Sequence, residues 1–135
     1  MRRERRCPTD RSRAMKRCLI VDDSRVIRRV ASKIIQDLGF EVEEAENGKK
    51  ALDACRVRMP DVVLIDLEMP VMNGHEYVKT LRAMPGGHKV VAIFCTTESD
   101  VAHIEQALAL GADEYIMKPF DSDIVRSKFQ VLEII

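Results

Sequence analysis

Cys18-Leu19-Ile20-Val21-Asp22-Asp23-Ser24 is the stretch that decides how this sequence folds. Four consecutive apolar residues are too few to make one face of a helix and suit a strand buried on both sides; the run stops at two acids, and Ser24 then offers a hydroxyl as an N-cap. The helix this predicts spans Arg25 to Leu38, with Val26, Ile27, Val30, Ile34 and Leu38 on its apolar stripe and Gly39 at its C-terminal end. Working outward, the same unit recurs. Strands are expected at Glu41 to Ala45, at Val62 to Ile65 running into Asp66, at Val90 to Cys95 and at Glu114 to Met117. Helices are expected at Lys49 to Arg58, His75 to Ala83, Asp100 to Leu110 and 122 to 133, the last with Ile124, Val125, Phe129 and Leu132 facing the core. Asn47-Gly48, Met59-Pro60, Asn73-Gly74 and Pro85-Gly86-Gly87 punctuate the units. Such alternation predicts an α/β fold, a doubly wound five-stranded parallel sheet with helices on both faces.

Length and charge limit what this fold can do. At 135 residues there is one core, and five strand and helix pairs leave no room for an output domain. The 46% hydrophobic content excludes a disordered chain. The longest apolar run is the six residues Val90 to Cys95, against the ~20 that a membrane-spanning helix needs. The Arg-rich start has no apolar region of a signal peptide, so a cytoplasmic protein with no membrane partner is expected. The 22 bases and 22 acids cancel only in total: residues 1 to 17 hold eight Arg and Lys against Glu4 and Asp10, and the remainder holds 14 bases against 20 acids. An acidic domain disfavours nucleic acid as a partner, which needs a clustered positive face. Residues 1 to 15 read as a basic, disordered extension to a domain at 16 to 135; the extension is either dispensable or a weak electrostatic tether. Cys7, Cys18, Cys55 and Cys95 show no metal-ligand spacing, and the last three read as small core residues. His75, His88 and His103 read as solvated, and Met69 and Met72 as packing.

In an open parallel sheet, ligands bind outside the carboxyl ends of the strands. Those ends deliver Asp22 and Asp23, then Asp66, Thr96 and Lys118. Clustered carboxylates repel one another unless a cation intervenes, and hard oxygen ligands suit Mg²⁺. A carboxylate beside Mg²⁺, with an ammonium and a hydroxyl to take the remaining phosphoryl oxygens, is what phosphoryl transfer requires, and Asp66 is the candidate nucleophile. Taken alone, Asp22-Asp23 could be a helix cap; Asp66 and Lys118 at the same end of the sheet argue against that.

These residues in this order resemble the receiver domains of two-component response regulators. The likeness covers residues 16 to 135 and rests on Asp22-Asp23 after an apolar strand, Asp66 with Met69-Pro70 three residues on, Asn73-Gly74, Thr96, and Lys118-Pro119-Phe120. Asp23, Asp66, Thr96 and Lys118 are 43, 30 and 22 residues apart in turn, which also agrees with the family. The resemblance implies a flavodoxin-like sheet of strand order 2-1-3-4-5. It implies that Asp66 accepts phosphate from a histidine kinase, that Asp23 and Asp66 bind Mg²⁺ directly and Asp22 through water, and that the backbone carbonyl of Glu68 adds a ligand. Thr96 and Lys118 would contact the phosphoryl group. Tyr115 falls at the family's rotameric switch position, with a static, half-buried aromatic as the plainer alternative, and Lys118-Pro119 falls at a bond usually cis there. Thr97, where Ala or Gly is frequent, and the acidic Glu68 and Glu98 depart from the commonest pattern at positions flanking the phosphoryl group.

The function expected is that of a stand-alone, monomeric response regulator: a switch rather than an enzyme, promoting its own phosphorylation and dephosphorylation and signalling by phosphorylation-dependent protein binding. Its partners would be a histidine kinase, a downstream target such as the flagellar motor switch, and a phosphatase. Met84-Pro85-Gly86-Gly87 and Lys128-Phe129-Gln130-Val131 resemble stand-alone chemotaxis regulators. A regulator of another pathway, or a phosphate sink, is the alternative within the class. A small aspartyl-phosphate phosphatase is the alternative outside it, but Asp66-Leu67-Glu68 lacks the second aspartate that such enzymes place two residues after the nucleophile. A cofactor-binding module would want a phosphate-cradling loop where Asp22-Asp23 would repel a phosphate.

Overall fold

The apolar runs form the sheet. In the computed structural model, which describes residues 16–67, 69, 72–97, 105, 106, 108–118 and 120–135, the strands are β1 (Arg17–Val21), β2 (Glu41–Ala45), β3 (Val62–Asp66), β4 (Val91–Thr96) and β5 (Glu114–Met117). All pairings are parallel, in the order β2-β1-β3-β4-β5. The central β1, β3 and β4 are almost wholly apolar because helices cover both of their faces, whereas the edge strand β2 exposes Glu41, Glu43 and Glu44. Successive side chains alternate between two cores. Leu19, Val21, Val63, Ile65, Ala92 and Phe94 pack against α2 (Gly48–Val57) and α3 (Gly74–Ala83). Cys18, Ile20, Val62, Leu64, Ile93, Cys95 and Ile116 pack against α1 (Arg25–Asp37) and α4 (Ser122–Val131).

Side-chain caps start every one of these helices. The Ser24 hydroxyl accepts from the Ile27 amide at 3.3 Å, Asn47 from Lys50 at 2.8 Å and Asp121 from Ile124 at 2.9 Å. Asn73 and Glu76 form a reciprocal capping box at α3. Gly39 ends α1 at φ +97°, a conformation open to a residue without Cβ. No helix among the described residues is long and apolar enough to cross a membrane.

Two expectations need correction. Val26 and Val30 are 70% and 46% exposed, and the buried face of α1 is centred on Ala31, Ser32 and Ile35. At about 100° per residue, Val26 and Val30 lie roughly 140° and 100° around the helix from Ala31. Two of those three residues, Ala31 and Ser32, are small, and a search for large apolar side chains passes over them. Ile124, placed on the core stripe of the last helix, is 40% exposed, and Val125 and Phe129 carry that face. Much of the helix expected from Asp100 to Leu110 falls outside the described residues. Residues 105, 106, 108 and 109 are helical, and the Leu110 amide donates to the Gln106 carbonyl at 3.1 Å. The basic extension over residues 1 to 15 also lies outside them.

Candidate functional site

The parallel register brings five predicted residues to one end of the sheet. Val21 pairs with Ile65, Asp66 with Cys95 and Thr96 with Met117, so Asp22, Asp66, Thr96 and Lys118 leave neighbouring strands at the same height. One carboxylate oxygen from each of Asp22, Asp23 and Asp66 lies within 4.8 Å of the other two. Lys118 Nζ donates to Asp22 Oδ2 at 2.8 Å and stands 3.4 Å from Asp66 Oδ1. Thr96 is buried at the end of β4, and its carbonyl accepts from the Lys118 amide at 2.8 Å, tying β5 to the site.

Asp22 is held on every side. It is 3% exposed, its amide donates to the Ala45 carbonyl at 3.2 Å, and its Oδ1 accepts from the Ser24 amide at 2.8 Å. Its own carbonyl accepts from Arg28 Nη1 at 2.7 Å. Asp23 is solvent-exposed. Below the cluster, the Leu67 amide donates to the Cys95 carbonyl at 3.2 Å and the Gly74 amide to the Leu67 carbonyl at 2.9 Å, so the start of α3 lies beside Leu67. A Cβ on Gly74 would come within 2.6 Å of Phe94 Cε1 and 2.7 Å of the Asp66 carbonyl oxygen. This close approach is the physical reason for glycine in Asn73-Gly74. Met69 is buried and Met72 packs on the core, as expected of packing residues.

Burial alone would lower the Lys118 pKa, but the hydrogen bond and charge of Asp22, with the charge of Asp66, outweigh it and hold Lys118 above its ordinary value. The site therefore keeps its ammonium throughout the neutral range. The Cys95 thiol is pushed up to about 12, mainly by burial, against the lowering effect of Lys118 and with Asp22 and Asp66 adding to the rise. It is an inert part of the floor, and Cys18 and Cys55, also buried, are core residues as expected.

Among the described residues, Asp22 and Asp66 thus share the Lys118 ammonium, with the Asp23 carboxylate beside them. The donor set is all hard oxygen, and exposed Asp23 leaves room for an ion that retains several waters; both features fit Mg²⁺. Tyr115 is half-buried against the core on the α2 and α3 face, with Lys128 Nζ 4.7 Å from its ring centroid. Thr97 is exposed. The Glu68 carbonyl, Glu98 and the Lys118-Pro119 bond lie outside the described residues. Of the histidines, His88 is exposed as expected, but His75 is partly buried, its ring packed against Phe94 with centroids 5.5 Å apart. The sequence reading passed over Arg28, which contacts the site through the Asp22 carbonyl. Its one sequence signal is its position a single turn beyond the Ser24 cap.

Residues 18–130 match the family model described as the response regulator receiver domain. Chemotaxis protein CheY1 of Helicobacter pylori is 38% identical over 116 residues, covering 84% of this chain and 94% of that protein. The protein-glutamate methylesterase/protein-glutamine glutaminase of Desulfotalea psychrophila is 39% identical over 105 residues, but the match spans only 29% of that longer protein. Among solved structures, chemotaxis protein CheY4 of Vibrio cholerae superposes with a TM-score of 0.83 at 35% identity, covering 87% of this chain and 98% of that one. With the fold, the strand order and the acidic pocket in place, the chain belongs to the receiver-domain family of response regulators, the phosphoryl-accepting signalling switches of two-component systems.

Proposed function

We propose that this chain is a switch in which Asp66 takes a phosphoryl group from a histidine kinase with the help of Mg²⁺, and that the phosphorylated form binds a downstream protein in chemotaxis. The observation that carries this reading is Lys118 Nζ standing 2.8 Å from Asp22 and 3.4 Å from Asp66, in a pocket where three carboxylates lie within 4.8 Å of one another. An Asp66 carboxylate oxygen attacks phosphorus, the new P–O bond makes an acyl phosphate, and the P–N bond to the kinase imidazole breaks with its electron pair returning to nitrogen. Receiver domains bind Mg²⁺ at an acidic pocket, and when bound the ion would neutralise charge on the transferring oxygens. Asp23 and Asp66 would hold it directly, Asp22 through water, and the Glu68 backbone carbonyl would complete the protein's share. Lys118 supplies a fixed positive charge to one phosphoryl oxygen and the Thr96 hydroxyl donates to another.

Pulling Thr96 toward the phosphoryl group would vacate space beside β5 that Tyr115 fills, so the readout surface is the β4–β5 connection, β5 and α4. In this reading residues 16 to 135 are the switch and 1 to 15 a basic extension. The protein acts in the cytoplasm as a monomer and lets a phosphatase reset it, without turning over a substrate of its own. The likeness to chemotaxis protein CheY1, over 94% of that protein's length, supports the chemotaxis reading. The flagellar motor switch is then the target to test first.

Radiolabelled acetyl phosphate with Mg²⁺ tests the core of this reading. Label should appear on the wild type and be lost in Asp66→Asn, whose amide is no nucleophile, and in chelator. Asp66→Asn labelled to the wild-type extent would overturn it. For the pathway, motor-switch protein should be retained only by the beryllofluoride-treated form, and equal retention without beryllofluoride would remove the chemotaxis assignment.

A further inference from the structure

We propose that Arg28 is a positioning residue of the Mg²⁺ site: it holds the peptide between Asp22 and Asp23 so that both carboxylates converge on the ion. The inference rests on the Mg²⁺ site proposed above. Arg25 and Arg29, its neighbours on α1, are exposed, whereas the Arg28 side chain is 14% exposed and folded inward. Its fork serves two acceptors at once, Nη1 donating to the Asp22 carbonyl at 2.7 Å and Nε to Glu44 Oε1 at 3.1 Å.

The Asp22 carbonyl belongs to the peptide that joins the two acids. A peptide is planar, so fixing its oxygen fixes the rotation of the whole plane and the direction in which the chain leaves for Asp23. On the other side of Asp22, its amide is held by the Ala45 carbonyl of β2. Asp23 is exposed and sits beyond the end of β1, where no strand pairing orients it. Its place in the cluster therefore depends on the plane that Arg28 holds. Partners that orient metal ligands from behind typically set metal affinity over about 10- to 100-fold.

The sign of the effect separates this role from simple electrostatics. Arg28 is a positive charge near a cation site, so removing it should tighten Mg²⁺ if charge were all that mattered, and should weaken Mg²⁺ if orientation matters more. Lysine retains the charge but cannot serve both acceptors with a planar fork.

The test compares wild type, Arg28→Met, Arg28→Lys and Glu44→Gln, with Mg²⁺ dissociation constants measured by displacement of paramagnetic Mn²⁺ and acetyl-phosphate labelling rates measured across Mg²⁺ concentrations. Arg28→Met should weaken Mg²⁺ about tenfold, with a smaller fall in the labelling rate at saturating Mg²⁺. Arg28→Lys should lie between it and wild type, and Glu44→Gln, which keeps an acceptor for Nε, should stay close to wild type. An unchanged or tighter Mg²⁺ constant in Arg28→Met, or a lower saturated rate with an unchanged constant, would overturn the proposal. If Arg28→Met lacks a cooperative melting transition, Arg28→Lys decides by the same sign: weaker binding supports the role, and equal or tighter binding ends it. A wild-type protein that binds no Mg²⁺ would refute the site itself, and this inference with it.

Discussion

The two ends of the sheet use charge in opposite ways. At the amino end, Arg17 and Arg82 close their forks on partners within the chain. The Arg17 amide donates to Asp61 Oδ2 at 2.7 Å, and its guanidinium reaches Glu43 at 2.6 Å and the Arg58 carbonyl at 3.3 Å. Arg82 reaches further, donating to the Gly111 carbonyl at 2.7 and 3.0 Å, to Gly87 at 2.7 Å, to Val90 at 2.6 Å and to Asp113 at 3.1 Å. At the carboxyl end, among the described residues, three carboxylates lie within 4.8 Å of one another and the Lys118 ammonium reaches two of them. The first arrangement satisfies donors and acceptors within the chain, while the second, among the described residues, concentrates negative charge that a bound cation can neutralise. The contrast divides the molecule into an end built for stability and an end built for a ligand.

Breaking the amino end should have the largest effect on stability and little on chemistry. Arg82 joins the end of α3, the start of β4 and the turn at Gly111, and Asp113 Oδ2 in turn accepts from the Ala92 amide at 2.9 Å. Arg82→Met takes its donors from the Gly87, Val90 and Gly111 carbonyls and its charge from Asp113, a loss of about 3 kcal/mol and roughly 10 °C in melting temperature. Acetyl-phosphate labelling at 15 °C below the variant's midpoint should stay within about twofold of wild type. A large loss of labelling in still-folded Arg82→Met would show that the two ends are not separable.

Lys118 tests the other end, where stability and chemistry should fall together. Lys118→Met leaves Asp22 buried with its charge uncompensated, a cost of about 2 kcal/mol after discounting for partial solvent access, and it removes the ammonium from the labelling reaction. The pH dependence carries a sign. Because the folded state raises the Lys118 pKa, its stabilisation is fully present below the unfolded lysine value of about 10.4 and is lost as pH rises through the folded value. The melting-temperature gap between wild type and Lys118→Met should therefore be flat from pH 6 to 9 and narrow above about pH 10.5. A gap that closed near pH 8 would mean that Asp22 and Asp66 do not hold the lysine's proton.

What the sequence made legible divides along physical lines. Each strand end that carries a site residue could be read from an apolar run stopping at a polar side chain, because burial on both faces leaves no other reading for Val62-Val63-Leu64-Ile65 before Asp66. The helix start at Ser24 is legible because capping is local, whereas Asn47 and Asn73 read only as turn residues and Asp121 carries no turn signal beside it, although all three prove to be caps. Val26, Val30 and Ile124 were misread because the buried arc of a helix is set by how closely it approaches the sheet, which residue hydrophobicity does not encode. Arg28 and Arg82 resemble ordinary helix-surface cations, and their partners lie on other elements, 16 residues away at Glu44 and 29 at Gly111. Nothing local to His75 announces the Phe94 ring against which it packs.

Asp23→Asn sharpens the comparison with the smallest shift and the most informative direction. Asp22 and Asp66 have Lys118 as a partner, but Asp23 adds a third negative charge at the exposed rim of the same cluster. In the absence of a divalent ion that charge only repels, and at an effective dielectric suited to a partly exposed group, relieving it is worth about 1 kcal/mol. Asp23→Asn should melt a few degrees higher than wild type in chelator. Adding Mg²⁺ should reverse the order, because the wild type gains about 1.4 kcal/mol at ten times its dissociation constant, whereas on the proposed site the variant would lack one ligand carboxylate and gain much less. The crossing of the two curves is the test: Arg82→Met, at the closed end, should shift by the same amount as wild type on adding Mg²⁺. If Asp23→Asn were less stable than wild type in chelator, the carboxylates would be satisfied within the chain after all, and the division between the two ends would fail.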